Sequence, residues 1–193
     1  MQLPSPDFPA MSFADLINTR HSTREYAPGA ITQAELANLL WVAYGIQTAG
    51  RRTVPSAGGR YPCTLHVIAG DIEGLGVGVH TWNHETNELT HRVESDIRPA
   101  LMDACRGQAQ VGAAPLLIAI SGEVGIVTER YGERGAQFIL IDVGHIGQNL
   151  MLAVEALGLG TVPMGSFHDE TTDALLALGE GERTYYLFAI GRV

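Results

Sequence analysis

The sequence is poor in the features that mark several protein classes. It has two cysteines, Cys63 and Cys105, whose separation matches no metal-ligand spacing, so we expect free thiols in a reducing cytoplasm. The sequence contains twelve arginines, no lysine and 21 acidic residues, and the formal net charge of -9 argues against broad nucleic-acid binding. No apolar run approaches the ~18 residues of a membrane span, and no signal peptide is visible. We therefore expect a cytoplasmic protein without nucleic-acid or membrane partners.

Several catalytic and nucleotide-binding motifs are also missing. The glycine-rich segments 74–80 and 158–165 lack the strand–loop–helix context of a dinucleotide fingerprint, and there is no Walker loop. The sequence contains no G-x-S-x-G nucleophile motif. The predicted hairpin has His80, His84 and Glu85 in or beside its turn. No second pair of ligands completes a metal site with them. We predict no metal site.

The patterns that are present predict one domain over residues 1–193, with a Pro-rich N-terminal arm at 1–10. Thr32-Gln-Ala-Glu35 has the form of a capping box, and leucines follow at helical spacing. CTLHVIA alternates like a strand, and a hairpin turns at 83–87. Further helices are predicted at 13–20, 96–106, 134–157 and 169–178, and further strands at 115–121 and 184–190. This order favours the α+β class over a βαβ repeat.

Two short stretches are unusual in composition. Arg20-His-Ser-Thr-Arg24 places two arginines around a serine at the end of the first helix. A phosphate would suit these donors, but helix C-termini also attract arginine through the helix dipole, and both explanations stay open. RRTVPSAGGRYP, residues 51–62, combines prolines, glycines and arginines between a helix and a strand. An ordinary turn would explain its Gly and Pro.

Taken together, these stretches resemble the FMN-dependent nitroreductase-like flavoenzymes. RHSTREY is similar to the N-terminal flavin motif of that family. RTVPSAGGRYP, the segment 130–167 and the closing AIGRV resemble its SagB-type branch, the thiazole/oxazole peptide dehydrogenases. The resemblance extends from about Asp15 to Val193 and finds four motifs in the family's order.

The resemblance implies a nitroreductase-like fold with a mixed central sheet surrounded by helices. It also implies an intertwined homodimer with FMN at the subunit interface, in which the long helix forms the dimer contact. The loop with the sequence VPSAGG would then clamp the flavin of the partner subunit.

The same resemblance assigns roles to individual residues. It implies FMN contacts from three stretches and a late phosphate-binding arginine: Arg20, His21, Ser22, Arg24, Pro55, Ser56, Ala57, Gly58, Gly59, Pro163, Met164, Gly165, Ser166 and Arg192. A backbone N–H at Gly165 or Ser166 would meet flavin N5. Tyr131 is the one candidate for a catalytic side chain, as a proton donor or a pocket wall.

Two positions depart from the family pattern. Gly59 stands where many nitroreductases carry an asparagine that reads the flavin edge. Arg130-Tyr131 replaces the Lys-Tyr pair of the peptide dehydrogenases, and arginine is a poor base.

We therefore expect a ping-pong oxidoreductase that passes hydride from NADH or NADPH through FMN to a small electron-poor acceptor, such as a nitroaromatic or a quinone. The alternatives are a SagB-like dehydrogenase that oxidises azoline rings and a flavin-carrier module without turnover.

Overall fold

Six strands form one sheet in the computed structural model, which describes all residues from 1 to 193. They are β1 (Cys63–Ala69), β2 (Gly78–Asn83), β3 (Glu88–Val93), β4 (Leu116–Glu123), β5 (Leu159–Met164) and β6 (Glu182–Arg192). The spatial order is β3-β2-β1-β4-β6-β5, and every neighbouring pair is antiparallel. The α+β class is confirmed. The sheet of a single chain is antiparallel, not mixed as expected, because each strand runs opposite to the neighbour with which it pairs.

Seven α-helices cover this sheet. They are α1 (Phe13–Thr19), α2 (Gln33–Tyr44), α3 (Arg98–Ala104), α4 (Ala109–Ala113), α5 (Val124–Tyr131), α6 (Gly135–Ala156) and α7 (Asp169–Leu175). The predicted capping box is present at α2, where the Thr32 hydroxyl accepts from the Glu35 N–H at 3.1 Å. The Glu35 carboxylate in turn accepts from the Thr32 N–H at 2.8 Å. Because both ends of the motif are satisfied, α2 begins where the sequence predicts.

Three elements were not predicted: α4, α5 and β5. The β5 segment contains Gly160 and Pro163, a composition that disfavours a strand interior. The structure places β5 at an edge of the sheet, where it pairs only with β6. An edge strand tolerates proline because one of its sides needs no ladder hydrogen bond.

Each face of the sheet carries its own apolar core. One face packs against α2 and α6 in a cluster of 29 buried residues that includes Leu65, Ile118 and Phe188. The other face packs against α3, α4 and α7 in a cluster of 15 buried residues that includes Ile68 and Leu187. The alternation of strand side chains between these clusters explains the long apolar runs of β1 and β4.

The long helix α6 lies on the first face. A Cβ atom at Gly147 would lie 2.9 Å from the Phe188 ring, so the glycine allows the helix to approach β6 closely. The helix ends before Gly158, which has φ +65° as the predicted stop signal requires.

The region from Val124 to Ala156 is apolar and long enough to cross a membrane by length and composition alone. In its most apolar stretch of 18 residues, 44% is buried inside the fold. The core helix of a globular protein meets the same criteria of length and hydropathy. Packing against α2 and the sheet therefore accounts for much of its apolar character.

A buried polar cluster joins three strands on the second face. The imidazole of His66 is fully buried, and its Nε2 lies 2.7 Å from the Ser121 hydroxyl. Ser121 donates to the Glu182 carboxylate at 2.7 Å. Hydrogen bonding from His66, helped by Ser121, lowers the pKa of Glu182 to about 2 although burial opposes the shift. The cluster therefore ties β1 and β4 to the start of β6.

The lowered pKa makes a prediction for Glu182→Gln. A carboxylate whose folded pKa lies below its unfolded value of 4.5 stabilises the fold above that pH. The variant should lose about 2 kcal/mol of unfolding free energy at pH 7, and the loss should shrink as the pH falls from about 4.5 towards about 2. Urea titrations at several pH values measure it. Glu180→Gln, at an exposed neighbour, is the control, and a loss that stays constant down to pH 2 would contradict the assignment.

Candidate flavin site

A large cavity in the chain is not formed by the residues predicted to bind flavin. It has a volume of about 730 Å³ and lies beside β1, β2 and the start of β6, and Arg52 in its lining is held between the rings of Tyr44 and Tyr61. None of the predicted flavin residues lines it. Those residues instead form two groups at different places in the fold.

The first, which we name the edge group, gathers at strands β5 and β6. It contains Arg20, His21, Ser22, Arg24, Pro163, Met164, Gly165, Ser166 and Arg192. The chain after α1 runs along these strands because the Thr23 N–H donates to the Thr161 carbonyl at 2.8 Å. The Tyr26 hydroxyl donates to the Ala189 carbonyl at 2.9 Å. The structure thus brings the N-terminal motif next to the strands that carry the late motifs.

Two arginines of the edge group have no partner within the chain. The side chains of Arg20 and Arg24 form neither an ion pair nor a hydrogen bond, whereas Arg60, Arg92, Arg98 and Arg192 are paired with carboxylates. Arg20 is the residue that ends α1, yet its guanidinium does not bond the terminal carbonyls of the helix. The guanidinium is therefore available to an external anion, and its role as an anion ligand stays a prediction.

Other members of the edge group are already engaged. The His21 ring contacts the Thr19 carbonyl at 3.0 Å through Nδ1. Arg192 forms a two-pronged ion pair with Glu35 and also donates to the Ala30 carbonyl. This arginine ties the last strand to the start of α2. Its role as a phosphate ligand stays a prediction, and a phosphate there would have to share its donors.

The segment after β5 offers unpaired backbone donors. Pro163 and Met164 belong to the strand, and the Met164 side chain is buried in the second core. Gly165 and Ser166 follow it on the surface, and no hydrogen bond within the chain uses the backbone N–H of either residue. The two adjacent free donors suit a hydrogen-bond acceptor on a cofactor ring, and the two free arginines of the edge group suit an anion.

The second group, which we name the loop group, is Pro55, Ser56, Ala57, Gly58 and Gly59. Gly58 and Gly59 have φ values of +58° and +63°, a conformation that side chains rarely adopt. The Ser56 hydroxyl accepts from the Tyr61 N–H at 2.9 Å and closes the turn. No hydrogen bond links this group to the edge group.

Tyr131 lies directly against the loop group. A Cβ atom at Gly58 would collide with the Tyr131 hydroxyl and approach the guanidinium of Arg130. Arg60 anchors the same loop to α5 through the Ile126 carbonyl at 3.1 Å and the Glu129 carboxylate at 2.8 Å. The structure therefore places the predicted catalytic candidate beside the loop group.

A buried carboxylate that we did not predict lies beneath the loop. Asp142 on α6 is 2% exposed, and its Oδ2 has no hydrogen-bond partner. Burial raises the pKa of this carboxyl, while Ser56 and the backbone of Ala57 partly oppose the shift. Asp142 lines a cavity of about 250 Å³ with Ile141 and His145 and with residues 55–57. In the sequence, the one sign of this buried carboxylate is an acidic residue at a helix position that is predicted to be apolar.

Comparison with known proteins now decides the family. Residues 17–192 match the profile of the family described as Nitroreductase family. The chain belongs to the nitroreductase family. It is 33% identical over 181 residues to the protein MJ1384 of Methanocaldococcus jannaschii, which carries a provisional nitroreductase name; the match covers 93% of this chain and 91% of that protein.

Solved structures agree with the family assignment. A crystal structure from Ralstonia eutropha JMP134, provisionally named a nitroreductase, superposes with a TM-score of 0.87 at 26% identity, over 100% of this chain and 88% of that one. The Escherichia coli microcin synthetase McbBCD complex gives a TM-score of 0.77 at 17% identity, over 100% of this chain and 78% of that one. At that identity the likeness shows the fold alone.

The NADPH:FMN oxidoreductase of Vibrio harveyi, solved with NAD+, is a more distant neighbour. It gives a TM-score of 0.68 at 16% identity, over 93% of this chain and 67% of that chain. This likeness also shows the fold alone. Family membership supports an oxidoreductase function for the chain, and the predicted nitroreductase-like fold is confirmed.

The raised pKa of Asp142 leads to a prediction for Asp142→Asn. An acid whose folded pKa is raised costs stability above its unfolded pKa of 3.8, so removing its charge should stabilise the fold at pH 8. We expect a gain on the order of 1 kcal/mol that vanishes below about pH 3.8. Thermal unfolding across pH measures it, with Asp103→Asn, an exposed site without a side-chain hydrogen bond, as the control. A variant less stable than wild type at pH 8 would show that the carboxylate supports the fold.

Proposed function

We propose that the chain is an FMN-dependent oxidoreductase that takes hydride from NADH or NADPH and reduces a small electron-poor acceptor, such as a nitroaromatic or a quinone. The observation that carries the proposal is the donor set of the edge group. Arg20 and Arg24 are free cations, and the N–H groups of Gly165 and Ser166 are free donors. An anionic phosphate at one end and a ring acceptor at the other are the two features that FMN presents.

The chain's own residues would bind and orient the cofactor. Arg20 and Arg24 would neutralise the phosphate, and the Ser22 hydroxyl would add a hydrogen bond. The backbone donors of Gly165 and Ser166 would face flavin N5. When bound, FMN would supply the hydride chemistry, since it accepts a hydride at N5 and returns the electrons to an acceptor. The absence of a catalytic triad from the sequence fits a reaction in which the cofactor carries the difficult step.

We further propose a homodimer in which the loop group of one chain completes the edge group of the other. The outer face of α6 exposes Leu140 at 56% and Ile141 at 52%, and Gly144 next to them has open space around its backbone. Helix α1 buries none of its residues, although Phe13 and Ile17 are apolar. Exposed apolar surfaces of this kind mark contact sites. The cavity beneath the loop group opens beside Ile141 on this same face of α6.

A second candidate function is the oxidation of azoline rings in peptides. It is suggested by the resemblance of residues 51–62 and 130–167 to the SagB-type branch. Arg130 counts against it, because arginine stays protonated and cannot remove a proton from the ring. Reduction of the flavin by an azoline peptide, and not by NADH or NADPH, would select this function.

The decisive experiment is a visible spectrum of the purified protein with identification of any released chromophore. We expect a yellow protein that yields FMN, is bleached by NADH or NADPH and is recoloured by a quinone. Arg20→Ala should weaken FMN binding by about 1.5–3 kcal/mol, roughly ten- to a hundredfold. Arg183→Ala, at an exposed arginine outside both groups, is the matched control.

Three results would count against this proposal. A protein that stays colourless after incubation with FMN would exclude the flavin assignment. A yellow protein that neither nicotinamide can bleach would favour the dehydrogenase or a flavin carrier. Wild-type affinity in Arg20→Ala would remove that arginine from the site.

A further inference from the structure

Arg106 occupies an uncommon conformation in the turn between α3 and α4. Its φ is +59°, and Gly107 follows with φ +73°. A non-glycine residue in this region costs about 1–2 kcal/mol of conformational free energy. Such residues are held in place by their surroundings and are frequent at functional sites. We therefore expect the contacts of Arg106 to stabilise this backbone conformation.

Its contact is with the segment that follows β5. The Nε of Arg106 donates to the Ser166 hydroxyl at 2.9 Å. Two further contacts join the same regions: the His168 N–H donates to the Ala104 carbonyl at 2.9 Å, and the Gln110 amide lies 3.9 Å from the Met164 sulfur. The turn between α3 and α4 thus supports the segment from Met164 to His168 from one side.

The charge of Arg106 is not neutralised within the chain. No carboxylate lies within ion-pair distance of it, and the Ser166 hydroxyl is the only hydrogen-bond partner of its guanidinium. The four N–H bonds on its two terminal nitrogens stay free. The positively charged guanidinium of Arg106 is therefore in direct contact with Ser166. The backbone N–H of Ser166 also has no acceptor.

We propose that Arg106 is a positioning residue of the flavin site, which fixes Ser166 and favours the reduced form of the bound flavin by its charge. This inference rests on the proposed function. Two-electron reduction of FMN by hydride from NADH or NADPH adds two electrons and one proton, so the ring gains one negative charge. A nearby fixed cation stabilises that form more than the oxidised form. Neither the sequence motifs nor the family pattern considered above includes this residue.

The test compares the affinity of the protein for oxidised and reduced FMN in a series at position 106. Arg106→Gln keeps a donor for Ser166 but loses the charge, Arg106→Lys keeps the charge, and Arg106→Ala loses both. All three retain the same demand for positive φ, so differences in folding should be small. Arg183→Ala again serves as a remote arginine control.

We expect Arg106→Ala and Arg106→Gln to lose about tenfold of the preference for reduced over oxidised FMN. For a two-electron couple this corresponds to a potential lower by about 30 mV. Arg106→Lys should recover more than half of the loss, and Arg183→Ala should show none. Ser166→Ala removes the positioned hydroxyl and leaves the charge of Arg106. It should therefore change the affinity for oxidised FMN and leave the reduction potential of the bound flavin largely unchanged.

The inference is overturned if Arg106→Gln and Arg106→Ala bind FMN with an unchanged potential, in which case the proposed function still stands. It is also overturned if Arg183→Ala produces an equal shift, which would indicate a general effect of surface charge. Failure of the wild-type protein to bind FMN at all would remove both the proposed function and this inference.

Discussion

The close approach of α6 to β6 is the constraint on which the rest of the structure depends. Gly147 lets the helix lie against Phe188 and Tyr186, and the inner face of α6 contributes Ile139 and Ile146 to the larger core. Once the helix is fixed there, Asp142 lies beneath the loop group and an apolar strip faces outwards. A single packing contact therefore sets the positions of the core, the loop group and the proposed dimer surface.

Much of the fold could be predicted from local patterns, because those patterns are satisfied locally. The Thr32–Glu35 capping box, the alternation in β1 and the Gly158 stop each depend on neighbours a few residues away. β5 could not be predicted in this way. Its glycine and proline argue against a strand, and only the edge position next to β6, which depends on the whole sheet, makes them acceptable.

The sequence predicted those residues of the candidate site that belong to short motifs. Arg20 and Arg24 were expected to meet an anion, and the structure leaves both without partners. The engagement of Arg192 with Glu35 could not be anticipated, because the two residues are 157 positions apart. Arg106 and Asp142 were missed for a similar reason: their significance comes from Ser166 and Ser56, which lie far from them in sequence.

The central claim is that each flavin site combines the edge group of one chain with the loop group of another. The most direct test is a mixed dimer of one Arg20→Ala chain and one Gly58→Ala chain, purified by different tags, because Ala at φ +58° disturbs the loop. If the claim is right, this dimer has one intact site and binds one FMN per two chains with wild-type affinity. If both groups serve the same chain, neither site is intact, and the mixed dimer will bind FMN no better than the two variant homodimers.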